Sequence, residues 1–376
     1  MNIHIRLLWT GSSLVFGLAI WLPSAISATA LKEARVTQVI QDVRLLESNV
    51  SPRPASVSDN VREGTAVRTG VDSRAELTFT DQTLTRLGAN TVFNFGKESR
   101  TIKLDSGSVL IQLPKNSGGA NILAGTVTAA ITGTTVVVEY DARPPGALKY
   151  TVLEGSMCIS LNGESVPIFA GQQLIFSPKA KSLPKARTVD LARYVEASPL
   201  TKGFERPLPS AGLIGSEAQH QRELRALVDQ LEHALRLAGA SNPKDASTAT
   251  FITAYSSIMI RAKNEEACLY AMAAATLRPD LIGEILAATR KSRNGEPKFS
   301  CECLTRIIRA AIGANPEASW DIVRTVVYEE PYARGCIAEA HANPCQEGGE
   351  NLVLPGDKHT LNPAELRPQE TVSPER

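Results

Sequence analysis

Residues 64–81, GTAVRTGVDSRAELTFTD, decide the fold of the first half of the chain. Within them, residues 74–80 alternate between polar and apolar side chains, which is the pattern of a strand with one buried face. Glycine and aspartate bound the run, and both residue types favour turns. The segment therefore predicts β-strands joined by tight turns.

The same pattern continues outward over residues 33–178. Turn-forming residues cut this part of the chain into about a dozen short candidate strands, with no long helical segment between them. Strands at this spacing without crossover helices predict an antiparallel sandwich or a short β-solenoid, with a barrel as a further arrangement. The fold class expected for the whole chain is two-domain, mainly β and then all α.

The N-terminus has the features of a secretory signal peptide. Arg6 precedes an apolar run over residues 7–22, and the small residues that follow end in an Ala-x-Ala pattern at residue 30. The run is interrupted by Gly and Ser and falls short of the roughly 20 apolar residues of a stable span. We expect residues 1–30 to be removed, which makes the mature protein periplasmic or secreted. An uncleaved anchor is the alternative, and it would be the chain's only contact with a membrane.

Residues 179–215 are rich in proline and lysine, and this composition predicts a solvated linker. From residue 216 the hydrophobic period becomes helical, with Ser216 and Gln219 as a candidate capping box and Gly239 as the stop. Further helices are predicted at about 246–262, 265–277, 280–292, 299–313, 317–328 and 332–342.

A weak repeat runs through the predicted α-helical domain, residues 216–342. Pro279, Pro316 and Pro331 each precede an isoleucine by six residues and a small residue by nine. Proline suits a helix start because its missing N–H has no intrahelical partner there. The repeat predicts stacked helical hairpins, and an ordinary helical bundle is the equal alternative. Residues 343–376 are predicted to be disordered.

The charge balance and the missing motifs exclude several classes of function. Lys and Arg number 40 against 39 Asp and Glu, so the chain has no overall basic footprint for nucleic acid. The β domain has no histidine, and the chain has no phosphate loop, dinucleotide turn or zinc-helix motif. We therefore expect no enzymatic activity, no catalytic residue, no cofactor, no metal site, no nucleic acid and no small-molecule substrate.

The six cysteines are the one chemically suggestive set. In an exported protein cysteines oxidise, so two disulfides that clamp helices are the leading interpretation. A zinc site or free buried thiols are the alternatives. The candidates in the helical part are Cys268, Cys301, Cys303, Cys336 and Cys345. Cys158, on a predicted strand, is interpreted as a core residue rather than a reactive thiol.

Several motifs, in order along the β domain, resemble the core of the FecR family, the ferric-citrate-type regulators. Besides residues 64–81, they are LGANT at 87–91, LDSGSV at 104–109, ITGTTVVV at 131–138, VLEGS at 152–156 and AGQQ at 170–173. The segment 102–113 looks like a hairpin of that family. The resemblance covers about residues 33–178.

The resemblance and the turn chemistry together give these motifs a structural role. Glycines at strand ends often supply the positive φ that a turn requires. The residues interpreted in this way are Gly64, Gly70, Asp81, Gly107, Gly133, Thr134, Gly155 and Gly171. Gln82 stands where the family usually has glycine, so a different turn is expected there.

The resemblance implies a signalling protein of the cell envelope. We expect a non-enzymatic protein whose β domain binds a partner or receives a signal, through exposed strand edges, while the helical domain docks another envelope protein. Family members grip an alternative sigma factor with a cytoplasmic arm, but only six residues precede the apolar run here. The alternative is therefore a regulator of siderophore or iron-citrate-type transport that acts with a separate anti-sigma partner.

Overall fold

The computed structural model describes residues 31, 33–96, 100–115, 117–263, 266–292, 299–334 and 345. Strands occupy the described chain up to residue 188, and helices follow from residue 191. The prediction of a mainly β part followed by a helical part is confirmed. The predicted signal peptide and the predicted disordered tail lie outside the described residues, apart from Cys345.

The strands form two sheets that share one strand. Sheet A contains, in spatial order, β17 (Arg187–Thr188), β16 (Gln172–Phe176), β13 (Ala147–Glu154), β12 (Thr135–Asp141), β9 (Thr101–Gln112), β7 (Leu84–Leu87), β6 (Arg74–Phe79), β1 (Glu33–Ile40) and β4 (Asn60–Arg62). Sheet B contains β15 (Glu164–Phe169), β14 (Ser156–Leu161), β11 (Val127–Ile131), β10 (Ala120–Ala124), β9, β8 (Val92–Phe95), β5 (Ala66–Thr69), β2 (Val43–Leu46) and β3 (Arg53–Pro54). Neighbouring strands are antiparallel, except that β9 and β10 are parallel.

The shared strand β9 corrects the hairpin that was predicted for residues 102–113. Its first half pairs with β8 and β10 in sheet B, and its second half pairs with β7 and β12 in sheet A. The change occurs at Gly107, which has a φ of 93°. Glycine tolerates this conformation, so the strand bends between the sheets without ending.

The inner faces of the two sheets enclose one apolar core. Alternate residues of each strand point into it, as the period-2 pattern requires. Examples are Leu77 of β6, Phe93 of β8, Ile111 of β9, Val136 of β12 and Ile159 of β14, all with an exposed fraction of 0%. Burial on this scale is the main favourable contribution to folding.

The edges of the described sheets offer little backbone for pairing with a partner. Three edge strands, β3, β4 and β17, have two or three residues. The fourth, β15, carries Pro167, which has no N–H to donate. Short strands and proline are the usual means of blocking edge pairing. The expectation that exposed edges bind an extended partner is therefore not supported by this arrangement.

Six of the seven predicted helical segments correspond to long helices among the described residues, and the helical region begins earlier than predicted. The helices are α1 (Leu191–Ala197), α2 (Pro199–Lys202), α3 (Ala211–Leu237), α4 (Thr248–Met259), α5 (Ala267–Leu277), α6 (Ile282–Ser292), α7 (Cys301–Ala314) and α8 (Ser319–Glu329). The capping box proposed at Ser216 and Gln219 is wrong, since Ser216 lies inside α3 and its hydroxyl donates to Gly212 O at 3.1 Å. Gly239 follows the end of α3 with a φ of 92°, in agreement with the predicted stop.

Helices α3 to α8 pack as a two-layer array of hairpins. α3 contacts α5 and α5 contacts α7 in one layer, while α4 contacts α6 and α6 contacts α8 in the other. The pairs α3–α4, α4–α5, α5–α6 and α7–α8 also contact each other across the layers. This packing favours the stacked-hairpin prediction over an ordinary bundle, because each hairpin contacts mainly its neighbours.

The proline repeat corresponds to a repeated turn. Arg278, Asn315 and Glu330 precede the three prolines with φ values of −135°, −142° and −128°, and each donates its backbone N–H to the helix before it. A short 3₁₀ turn then begins at each proline. Most of the last predicted helix, 332–342, lies outside the described residues. None of the described helices combines the length and the hydropathy needed to cross a membrane.

Candidate interaction site

The residues predicted from turn chemistry lie at strand ends and bends. Positive φ values occur at five of the six glycines so singled out: Gly64, Gly107, Gly133, Gly155 and Gly171. Gly70 is not in the left-handed region, and its N–H instead donates to Asp42 O at 2.9 Å. Thr134 is buried, and its backbone oxygen accepts from Leu113 N at 2.8 Å. These residues are spread over both sheets and do not form a common site.

Asp81 holds the turn between β6 and β7. Its Oδ1 accepts from the backbone N–H of Thr83 at 2.9 Å, and its Oδ2 lies 2.5 Å from Arg100 Nη2. Gln82, which lies between Asp81 and Thr83, has a φ of 68°. Gln82 therefore adopts a left-handed conformation, which glycine tolerates more readily than a residue with a side chain.

The segment predicted as a solvated linker is packed on the outer face of sheet A. We call residues 198–210 the strap. Leu191, Leu200, Leu208 and Ile214 are buried with Leu153 of β13 and with neighbouring apolar residues of the same face. The prediction of a free tether is wrong because these well-spaced apolar side chains find an apolar surface on the sheet to cover.

A fully buried arginine fastens the strap to the sheet. Arg86 on β7 has an exposed fraction of 0%, and its Nε donates to Glu76 Oε2 on β6 at 2.9 Å. Its Nη1 donates to the backbone oxygens of Leu200 at 3.1 Å and Thr201 at 3.3 Å. Its Nη2 donates to the backbone oxygen of Arg206. All of these are charge-assisted contacts, which are stronger than neutral hydrogen bonds.

Further contacts surround the guanidinium and complete its environment. The ring of Phe204 stacks with its centroid 4.4 Å from the Arg86 guanidinium carbon. The hydroxyl of Thr37 donates to the second oxygen of Glu76 at 2.8 Å. Burial lowers the pKa of Arg86, and the hydrogen bond and charge of Glu76 oppose that shift. The side chain stays cationic, since arginine remains protonated in proteins.

Elsewhere, side chains of sheet A also contact the main chain of the strap. Arg74 Nε donates to Gly203 O at 3.2 Å, and Glu205 N donates to Gln38 Oε1 at 3.3 Å. At the far end, the Thr135 hydroxyl donates to Ser210 Oγ at 2.8 Å. The outer face of sheet A thus binds the strap largely through its backbone.

An open groove of about 850 Å³ continues from the strap across the same face. Its floor is the outer face of β1, β6 and β7, and its wall includes Pro207 and Pro209 of the strap. The polar and charged lining residues are Glu33, Arg35, Thr37, Asn60, Glu76, Thr78, Thr80, Gln82, Gln112 and Arg206. Ligand pockets commonly have volumes of roughly 300–1,000 Å³.

The helical array contacts the β region on the side of α3 and α7. Gln172 Nε2 of β16 donates to Gly313 O of α7 at 3.2 Å. Gln221 of α3 donates to Val189 O and accepts from Leu191 N. Phe169 of β15 packs against the apolar core of the array. Strap, sheet and array therefore form a continuous set of contacts.

The cysteines form disulfides, and one of them was missed by the sequence interpretation. Cys268 and Cys303 join α5 and α7, with Cα atoms 5.7 Å apart. Cys158 of β14 is buried as expected, but it is bonded to Cys345 with a Cα separation of 4.8 Å. Cys301 is disulfide-bonded as well, and Cys336 lies outside the described residues. The second bridge connects the chain beyond the array to the β region.

Metal-binding geometry is absent from the part of the chain that the structure describes. Within these residues no group of three or more His, Cys, Asp or Glu side chains is arranged to hold a metal ion. Nε2 of His220 lies 3.3 Å from Nη1 of Arg306. Glu76 and Arg86, a buried pair of charged side chains, form a salt bridge that holds the strap.

Comparison with known proteins bears on the β region. Residues 65–158 match the family model described as FecR protein. The predicted resemblance is thus confirmed for residues that extend from the start of β5 into β14. The match supports a signalling or regulatory role. No curated protein matches the chain.

Similar solved structures include two crystal structures, each described as a candidate anti-sigma factor from Parabacteroides distasonis ATCC 8503. In both comparisons the identity is 11%, the TM-score is 0.31 and 35% of this chain is covered. The chain spans 65% of the length of one and 64% of the other.

Sequence reasoning missed the strap and its arginine, although both left a signal. Glu76 and Arg86 occupy polar positions on strands β6 and β7, where they are paired across the hairpin. Oppositely charged cross-strand neighbours are ordinary on a solvated face. Only the apolar spacing of Leu200, Leu208 and Ile214 indicated that this face is covered.

Proposed function

We propose that this protein is a non-enzymatic regulator of the cell envelope. In this proposal the β region receives a signal by binding a partner, and the helical array docks a second envelope protein. The supporting observation is that the FecR-matching strands are joined to a repeat array through the buried Arg86–Glu76 pair and the strap. Binding at either part can then influence the other through packed contacts.

The proposed compartment is the periplasm or the exterior. Disulfides persist in oxidising compartments, and the bridges Cys158–Cys345 and Cys268–Cys303 support such a location. The apolar run at residues 7–22, followed by Ala-x-Ala, supports export. A reduced, unprocessed protein in the cytoplasm would contradict this part of the proposal.

The surface proposed for docking is the last described hairpin of the array. Trp320 of α8 has an exposed fraction of 44%, and Tyr332, just beyond the same helix, has 48%. Aromatic side chains dominate the energetics of many protein interfaces. Repeat arrays use such extended faces for binding.

A second candidate function is favoured by the FecR match alone. The protein would regulate siderophore or iron-citrate-type transport together with a separately encoded anti-sigma partner. Co-purification of a transmembrane anti-sigma protein with this chain supports that candidate, whereas its absence from crosslinked complexes contradicts it.

The test combines fractionation with crosslinking in intact cells. N-terminal sequencing of the mature chain identifies its compartment and processing, and crosslinked partners are identified from the envelope fraction. We expect Trp320→Ser to abolish one crosslink. Ile260→Ser is the matched control, because Ile260 is also apolar and 73% exposed but lies at the end of α4. Loss of that crosslink in both variants, or its retention in both, contradicts docking at the last hairpin.

A further inference from the structure

The charged side chains that line the groove beside the strap are not balanced in sign. Both of its acidic side chains already have partners, since Glu76 pairs with Arg86 at 2.9 Å and Glu33 with Arg62 at 3.6 Å. Arg35 and Arg206 are exposed and line the groove. Neither has an ion-pair partner among the described residues. The groove therefore carries two uncompensated positive charges.

The groove also contains a polar atom that lacks a partner. Oε1 of Gln112 is buried, and among the described residues nothing donates a hydrogen bond to it. Gln112 ends β9 opposite Leu84 of β7, and both residues line the groove. A buried acceptor without a donor costs about 1–3 kcal/mol. A bound group with an N–H would relieve that cost.

The strap shows which kind of ligand this face accepts. Arg86, Arg74 and Gln38 form hydrogen bonds with the main chain of strap residues. Glu76 belongs both to this contact and to the groove lining. The groove is thus a continuation of a surface that already holds an irregular polypeptide segment through its backbone.

We propose that the groove binds an extended acidic segment of a partner protein. Its carboxylates would pair with Arg35 and Arg206, and a backbone N–H would donate to Gln112 Oε1. The segment would lie beside Pro207 and Pro209 and extend the contact made by the strap. This inference rests on the proposed function and assigns the chemistry of the partner.

The experiment measures fluorescence anisotropy of labelled ten-residue peptides with the full mature chain. The probes are an alternating Glu/Ser peptide, a Gln/Ser peptide and a Lys/Ser peptide. We expect the Glu/Ser peptide to bind at least about tenfold more tightly than the other two, since opposite charges across an interface are favourable. Binding should weaken as the salt concentration rises.

Variants decide whether the groove is responsible. Arg35→Glu with Arg206→Glu should remove the preference for the acidic peptide, and Gln112→Leu should weaken binding of all three probes. The matched control is Arg68→Glu with Arg225→Glu, which makes the same charge change at exposed positions outside the groove. Thermal unfolding of each variant verifies that it folds.

The proposal is overturned if the three peptides bind alike, or if the control reduces binding as much as the groove variant does. Binding of polygalacturonate through Arg35 and Arg206, without binding of the Glu/Ser peptide, also overturns it in favour of an acidic polysaccharide. Failure of the proposed function gives a different result. The wild-type chain would then form no crosslinks to envelope proteins, while the acidic peptide would still bind.

Discussion

The two faces of sheet A are held by different kinds of interaction. The inner face meets sheet B through apolar side chains such as Leu77, Ile111 and Val136. The outer face holds the strap through the ion pair of Arg86 with Glu76, backbone carbonyls and a small apolar cluster. Apolar packing tolerates many sequences, whereas a buried charge depends on one set of partners. The inner face therefore sets the fold, and the outer face sets how the array is attached.

The largest effect is expected from removal of the buried cation. Arg86→Met leaves the Glu76 carboxyl group nearly inaccessible to solvent and without its cationic partner, so we expect a loss of about 3–5 kcal/mol in the free energy of unfolding. Denaturant unfolding measures it, and amide exchange should increase in the strap. The double variant Arg86→Met/Glu76→Leu should recover part of the loss, since strap carbonyls still lack a donor. A loss below about 1 kcal/mol would show that the outer face does not depend on the ion pair.

Two adjacent residues of β9 separate the faces directly. Ile111 points into the core between the sheets, and Leu110 points into the cluster under the strap; both are fully buried. We expect Ile111→Ala to cost about 3–4 kcal/mol and Leu110→Ala about 2–3 kcal/mol. Only Leu110→Ala should increase amide exchange in the strap. An equal increase of amide exchange in the strap in both variants would mean that the two faces unfold as one unit.

The disulfides test whether the Cys158–Cys345 bridge and the strap jointly stabilise the attachment of the array. Cys158–Cys345 spans a sequence separation of 187 residues, which includes the whole described array. We expect Cys158→Ser/Cys345→Ser to lower the free energy of unfolding by about 2–4 kcal/mol. Combined with Arg86→Met, it should lower that free energy by more than the sum of the two separate losses. Cys268→Ser/Cys303→Ser is the control, because that bridge joins helices within the array. If the losses in the free energy of unfolding are strictly additive with that of Arg86→Met, the strap and the bridge stabilise the attachment independently.

A small gain is expected at the turn that joins β6 to β7. Gln82 has a φ of 68°, which costs a residue with a side chain more than it costs glycine. Gln82→Gly should raise the free energy of unfolding by about 0.5–1 kcal/mol, after the entropy that glycine adds to the unfolded chain is deducted. Gln82→Ala should give no gain, because alanine has the same steric conflict. A stabilised alanine variant would show that the side chain, rather than φ, is responsible.

These contrasts explain how far the sequence predicts this molecule. Alternation along β6 and β7 predicts the strands because one face is apolar, and the prolines predict the hairpin turns because proline cannot continue a helix. The bend at Gly107 and the strap at Leu200 depend on partners distant in sequence. No local pattern identifies such partners. The groove was missed for the same reason, since Arg35, Gln112 and Arg206 meet only in the folded chain.

The smallest effect is a change in pH dependence where β13 ends beside the array. Burial raises the pKa of Glu154, Glu217 of α3 adds to the shift, and Lys115 and Arg309 oppose it. The folded protein therefore binds this proton up to a higher pH than the unfolded chain. The free energy of unfolding falls as the pH rises from the ordinary glutamate pKa of about 4.3 to the raised folded value.

Glu154→Gln removes that titration and tests whether the junction of sheet and array is closed to solvent. The variant should be more stable than the wild type at pH 7, with the difference shrinking as the pH falls below the folded pKa. Glu217→Gln is the control: it should keep the pH dependence but reduce it, because one repelling charge is removed while burial remains. Parallel stability curves for Glu154→Gln and the wild type would mean that water reaches Glu154. The contact between sheet A and the array would then be looser than the strap that leads into it.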